Sequence, residues 1–157
     1  MKIDKELLDE LIEKANTSER LRQNYDLRTS GEDSSQRMLN VLLPGTVVPI
    51  HRHPQSSESV ICLCGRLDEV LYEEEISYST SSESASFPMG QDGGDVMRKR
   101  TLKEIKRIHL CPADNSYGCQ VSKGVWHTVE VLEPSVIYEA KDGKYGEDGS
   151  ESLDFTP

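Results

Sequence analysis

Apolar and basic residues are both scarce in this sequence. Hydrophobic side chains make up 35% of its 157 residues, charged ones 29% and aromatics only 6%. A chain of that length supports one domain with a single core and needs no staples. Its low apolar content leaves part of it as solvated loop or tail. No apolar run approaches the ~20 residues a membrane-crossing helix requires. Acidic residues outnumber basic ones 28 to 18, for a net charge of −10. Nucleic acids and anionic membrane surfaces are therefore disfavoured as partners. The basic patch Arg98-Lys-Arg100 with Lys103, Lys106 and Arg107 reads as a solvated loop or helix face. The first residues hold neither an apolar stretch nor a small-residue cleavage site, so no secretion leader is expected. The four cysteines (Cys62, Cys64, Cys111, Cys119) then need no disulfide framework. The expected compartment is the cytoplasm, with free thiols.

What is present begins with a helix signal. Asp4 is placed to cap a helix carrying Leu7, Leu8, Leu11, Ile12 and Ala15 on one stripe, and Asn16-Thr-Ser ends it. Ser18 caps a further turn through Leu21. Residues 1–30 thus read as a helical arm, packed on the body or on a partner subunit. Gly31-Glu-Asp-Ser-Ser is a polar break, and residues 31–157 read as a β domain. Short β-like runs cover Met38 to Leu43, Val47 to His53, Ser59 to Cys64 and Leu67 to Glu74, the last two as a hairpin about Gly65-Arg66. Further runs span Ile105 to Cys111, Gly118 to Val121, His127 to Leu132 and Ser135 to Lys141. This punctuation predicts a sandwich or barrel of antiparallel strands. Residues 79–104, rich in Ser, Gly and charge, read as a long polar insertion with a short helix near Leu102. The polar tail ends in Leu153-Asp-Phe155, an aromatic expected to dock back on the body.

Only four histidines occur, and three of them lie in two short segments. Gly45-Thr-Val-Val-Pro-Ile-His51-Arg-His53-Pro-Gln-Ser-Ser-Glu58 closes at Gly65, and Gly124-Val-Trp-His127 follows later. His51 and His53, one residue apart on a strand, project to the same face. A four-residue turn then lets Glu58 enter the neighbouring strand at the same level, and Gly124 bends the chain so that His127 returns to them. Three imidazoles and a carboxylate are donors for one divalent Fe, Mn, Zn or Ni ion, with coordination positions left open. Hydrogen bonding alone would leave this buried polar cluster uncompensated. The expected ligands are His51, His53, Glu58 and His127.

These residues resemble the cupin superfamily. Its first motif is matched at Gly45, His51, His53, Glu58 and Gly65. Its second is matched at Gly124 and His127, while Ser116, Ser122 and Val131 stand where Gly, Pro and Asn are usual. The segments Ser18 to Leu27, Gln36 to Thr46, His51 to Pro54 and the stretch Tyr138 to Tyr145 are similar to the WbuC-type cupin-fold metalloproteins. Ser57 departs from the aromatic that often precedes the carboxylate there. The resemblance covers most of the chain outside 79–104. It implies an all-β cupin double-stranded β-helix (jelly-roll) barrel with one divalent metal, pairing into homodimers. It further implies a bacterial setting in surface-polysaccharide gene clusters.

Four more residues are candidates for lining the pocket: Arg37, Asn40, Cys62 and Tyr138. Arg37 and Asn40 suit a substrate's carboxylate or hydroxyl, or else tie the arm to the barrel. Alternation from Glu58 places Val60, Cys62 and Cys64 inward, where the thiols read foremost as small buried hydrophobes. Tyr138 and Glu139 lie on opposite faces of the last strand, so one of them looks inward. His109 and Trp126 read as structural. Two functions remain open: a metal-dependent enzyme acting on a small polar molecule such as a sugar or sugar nucleotide, and a non-catalytic module whose metal organises a ligand pocket.

Overall fold

The structure, a computed structural model, describes residues 1–80 and 96–153. Helix α1 (Lys5–Asn16) forms behind its expected cap, where the Leu7 amide donates to the Asp4 carboxylate at 3.2 Å. Lys14 in the last turn complements the carbonyl end of the helix dipole. No helix among the described residues is long and apolar enough to cross a membrane.

Strands follow at Arg22–Asp26 (β1), Ser35–Leu42 (β2), His51–Arg52 (β3), Glu58–Thr80 (β4), Val96–Leu110 (β5), Gly118–Val121 (β6), Trp126–Asp142 (β7) and Glu151–Ser152 (β8). Every pairing is antiparallel. The long strand β7 is central, bonding β2, β3 and β4, while β4 also bonds β5 and β6. The fold is therefore the all-β barrel that the short punctuated runs predict.

Residues alternate across these strands, and the two faces build two cores. On the inner face Leu42, Val60, Cys62, Leu67, Leu110, Val129 and Ile137 pack together. On the outer face Leu39, Val41, Leu43 and Val136 meet Leu11 and Ala15 of α1. The register Asn40↔Ile137 and Leu39↔Tyr138 carries that division from β2 to β7, because directly opposed residues share a face. Burying these side chains is the main stabilising term.

Three expectations need correction. Gly65 is not a hairpin tip: β4 runs straight through it, paired with β7 from Glu58↔Lys141 to Tyr72↔Trp126. The register slips between Cys62 and Leu67, so Gly65 sits in a bulge with φ +86°. A Cβ there would lie 2.2 Å from the Pro134 carbonyl oxygen, which only glycine avoids. The bulge also turns Cys64 outward, against the helix-side core rather than into the barrel.

The third correction concerns residues 79–104. Leu102 lies in β5 opposite Glu74, not in a helix. The basic patch forms one strand of a ribbon whose other strand carries Glu73-Glu74-Glu75. Arg100 pairs with Glu74 and Lys103 lies 3.6 Å from Glu75, so charge complementarity holds two polar strands together without a core. Residues 81–95 of the expected insertion, and Phe155, lie outside the described residues.

Candidate metal centre

The geometry of the site starts from β3. Arg52 lays its guanidinium 4.5 Å above the Trp126 ring and bonds Glu151 at 2.6 Å. That anchors the two-residue strand on its outer side, while His51 and His53 turn to the other. His51 is opposed to His127 of β7 in register, and their rings lie 4.2 Å apart. Glu58 opens β4 on the same inner face. One ligand atom from each of His51, His53, Glu58 and His127 falls within 4.8 Å of the others. His53, Glu58 and His127 are buried.

The hydrogen bonds of the rings decide what this cluster can hold. His51 Nδ1 lies 2.9 Å from the Pro49 carbonyl and His127 Nδ1 lies 3.0 Å from the Val125 carbonyl. A carbonyl only accepts, so each Nδ1 carries the proton and each Nε2 presents a lone pair. His53 Nδ1 is bonded to Ser150 Oγ at 2.8 Å, and that hydroxyl donates to Asp148 at 2.6 Å. The three rings are thus held by their far nitrogens, the arrangement that fixes tautomer and aim around a metal.

Glu58 Oε2 stands 3.1 Å from His127 Nε2 and 3.3 Å from His53 Nε2. Those separations match the ~3.0 Å edge between adjacent donors on an ion with bonds of about 2.1 Å. Lone pairs from two imidazoles and a carboxylate at that spacing repel unless a cation lies among them. The residues present therefore fit a divalent ion.

Burial, and then the neighbouring His127, push the His51 imidazolium down to about 4, so this ring is neutral at ordinary pH. Burial alone would raise Glu58, but the adjoining His127 and His53 rings and the Lys141 ammonium hold it below the usual carboxylate range. Both groups are kept in the protonation state a metal ligand needs.

Lys141, opposed to Glu58 in register, was not singled out by the motif. Its ammonium lies 3.0 Å from His53 Nε2, 3.2 Å from Asp148 and 3.9 Å from Glu58. It competes with a metal for the His53 lone pair, and Asp148 offers it another partner.

The proposed pocket-lining residues divide. A cavity of about 360 Å³ is lined by His51, Glu58 and His127 together with Asn40, Glu69 and Glu139. Asn40 is thus at the site, where its amide donates to the Glu139 carboxylate. Arg37 and Tyr138 are not, and this corrects the expectation for both. They lie on the outer face, opposed to Ala140 and Leu39 respectively, and line a separate depression of about 490 Å³ that contains none of the four ligand candidates. Arg37 is engaged by Asp33 and Ser35. Cys62 is sealed in the apolar inner core and does not line the cavity.

Glu139, not Tyr138, is the inward residue of that pair. Burial, reinforced by the charge of Glu58, pushes its carboxyl up to about 8. Glu69 carries no motif signal at all. His109, as read, is structural, bonded to Asp68 at 2.7 Å.

Comparison with known proteins bears on the fold. Residues 3–83 match a family model described as a domain of unknown function (DUF6016). No curated protein matches the chain in sequence. Among solved structures, an uncharacterized conserved protein with a double-stranded β-helix domain from Klebsiella pneumoniae is similar over 98% of this chain and 97% of that one. Its TM-score is 0.50 at 12% identity. The oxalate decarboxylase of Lactobacillus farciminis aligns with 87% of this chain at 12% identity and TM-score 0.49, but with only 32% of its own length. Peruvianin-I, a cysteine peptidase of Thevetia peruviana latex, aligns over 84% of this chain and 66% of its own, at 16% identity and TM-score 0.45. The chain spans less than two thirds of either of those two proteins. The fold is the cupin double-stranded β-helix, carrying a potential His/Glu metal site.

Proposed function

The chain belongs to the family described as a domain of unknown function (DUF6016), and because that description assigns no chemistry, we propose one from the site. The protein holds one divalent transition-metal ion at His51, His53, Glu58 and His127 and acts on a small polar molecule bound in the adjoining cavity. The observation that carries this reading is the convergence of the four side chains, with all three Nδ1 atoms engaged by oxygen partners and one ligand atom of each residue within 4.8 Å of the others. Three imidazoles and one carboxylate suit Fe, Mn, Ni or Zn and leave about two positions free. When bound, the ion would supply Lewis acidity to a carbonyl or hydroxyl oxygen. Asn40 and Glu139, which line the adjoining cavity and are hydrogen-bonded to each other, then fix the polar end of the ligand.

The resemblance of Ser18 to Leu27, Gln36 to Thr46, His51 to Pro54 and Tyr138 to Tyr145 to WbuC-type cupins favours a sugar or sugar nucleotide of surface-polysaccharide metabolism as that molecule. Metal analysis of the purified protein tests the core of the proposal. About one transition-metal ion per chain is expected, falling to trace level in Glu58→Gln combined with His127→Ala. Metal-free protein that takes up none of Fe, Mn, Ni or Zn would overturn it.

A further inference from the structure

The cavity beside the four ligand candidates has a volume of about 360 Å³. At about 30 Å³ for each water-sized group, it accommodates roughly a dozen non-hydrogen atoms. Its wall contains three buried oxygens without any hydrogen-bond partner: both carboxyl oxygens of Glu69 and the amide oxygen of Asn40. Glu69 is fully buried, and Val60 and Val129, which share the wall, can donate nothing to it. Folded proteins rarely leave such groups unpaired, because desolvation without a partner is unfavourable. A leucine at this position would be the less costly choice. A carboxyl that no residue satisfies, on a residue lining a cavity beside the four ligand candidates, is therefore explained by a ligand.

We propose that Glu69 and Asn40 form the ligand-facing wall of this site, and that they hydrogen-bond the hydroxyl groups of an uncharged, hydroxyl-rich small molecule. The proposal rests on the metal-centre reading above and goes further by naming the contacts and narrowing the ligand to an uncharged molecule of about a dozen non-hydrogen atoms. Unpaired oxygens call for donors, which a small molecule supplies as hydroxyls or as N–H groups, the ammonium among them. Burial, then the neighbouring acids Glu139 and Glu58, raise Glu69 well above the usual carboxylate range. A neutral carboxyl offers one donor and one acceptor, as an alcohol does, and exerts no pull on a cation. Arg20 and Arg22, which line the same cavity, disfavour an ammonium group further.

The test is calorimetric titration of glucose, mannose and galactose into metal-loaded wild-type, Glu69→Gln and Glu69→Leu proteins, with metal content measured on the same preparations. At least one hexose is expected to bind the wild type. Glu69→Gln, which keeps one donor group and one acceptor, should bind it within about threefold. Glu69→Leu should weaken it at least about tenfold. Both variants should keep wild-type metal content, and the melting temperature of Glu69→Leu should not fall. Three outcomes overturn the proposal: no hexose binds the metal-loaded wild type, Glu69→Leu binds as the wild type does, or glucosamine as its ammonium form binds more tightly than glucose. Absence of metal from the wild type would instead defeat the metal reading. The same titrations on metal-free protein then decide the Glu69 wall by itself.

Discussion

Each histidine of the candidate metal site is held by a partner outside the four ligand candidates, and the partner of His53 is the most elaborate. Asp148 accepts from Ser150 Oγ at 2.6 Å, from Gln36 at 3.2 Å and from Lys141 at 3.2 Å, and Ser150 in turn holds His53 Nδ1. Asp148→Ala should therefore free the ring and let Lys141 settle on its Nε2. Competition with a chelating dye should show metal affinity lowered about 10- to 100-fold, the usual effect of removing such a support. An unchanged affinity would mean that the chain of hydrogen bonds has no hold on the ring. Glu139 gives a prediction of a different kind. Its carboxyl ordinarily titrates at 4.5 but stays protonated to about 8 in the folded protein, through burial and the charge of Glu58. The unfolded chain releases this proton first, so stability present below pH 4.5 is lost as pH rises towards about 8. In metal-free protein, the melting temperature of the wild type relative to Glu139→Gln should fall across that window and level off above it. A difference independent of pH would show that Glu139 ionises normally. The four ligand candidates were legible because histidine is rare in this chain and its spacing is regular. Lys141 and Asp148 were not, since they reach the site only through strand pairing and a distant turn.

Among the elements, β4 shows how one residue redirects what alternation would otherwise dictate. Before Gly65 the inner residues are Glu58, Val60 and Cys62; beyond the bulge they are Leu67 and Glu69. A one-residue slip exchanges the faces of everything that follows. Counting by twos from Glu58 therefore sends Glu69 to solvent, although it is fully buried at the cavity. The glycine was legible and its consequence was not, because a tip and a bulge both use a positive φ. Gly65→Ala adds left-handed strain of about 1–2 kcal/mol and an overpacking cost of typically about 1–3 kcal/mol. Its Cβ would meet both the Pro134 carbonyl and Ser135 Oγ. Urea denaturation should report a loss of at least about 2 kcal/mol. A smaller loss would mean that β7 moves aside easily there. The ribbon of β4 and β5 was misread for a related reason: its polar composition resembles a loop, and only the pairing of Glu74 and Glu75 with Arg100 and Lys103 makes it a strand pair.

Across the whole molecule, the barrel wall separates stability supplied by the arm from the candidate metal site in the interior. The apolar stripe of α1 closes the outer core over Leu39, Val41, Leu43 and Val136, whereas the ligand candidates sit on the inner face with Asn40, Glu69 and Glu139. Neighbouring residues of one strand serve both, Leu39 outward and Asn40 inward, so the two sides share backbone but not side-chain contacts. Leu11 is 1% exposed in the outer core. Leu11→Ala should cost about 2–5 kcal/mol, as deletion of a buried leucine does when its surroundings relax only in part. The variant's metal content and chelator-competition affinity should nevertheless remain those of the wild type wherever it is folded, because no ligand or ring-holding partner lies on the helix side. Denaturant midpoint and metal affinity measured on the same samples separate the two effects. If affinity falls along with stability, the wall transmits strain from arm to site, and α1 belongs to the working parts of the centre and not only to its support.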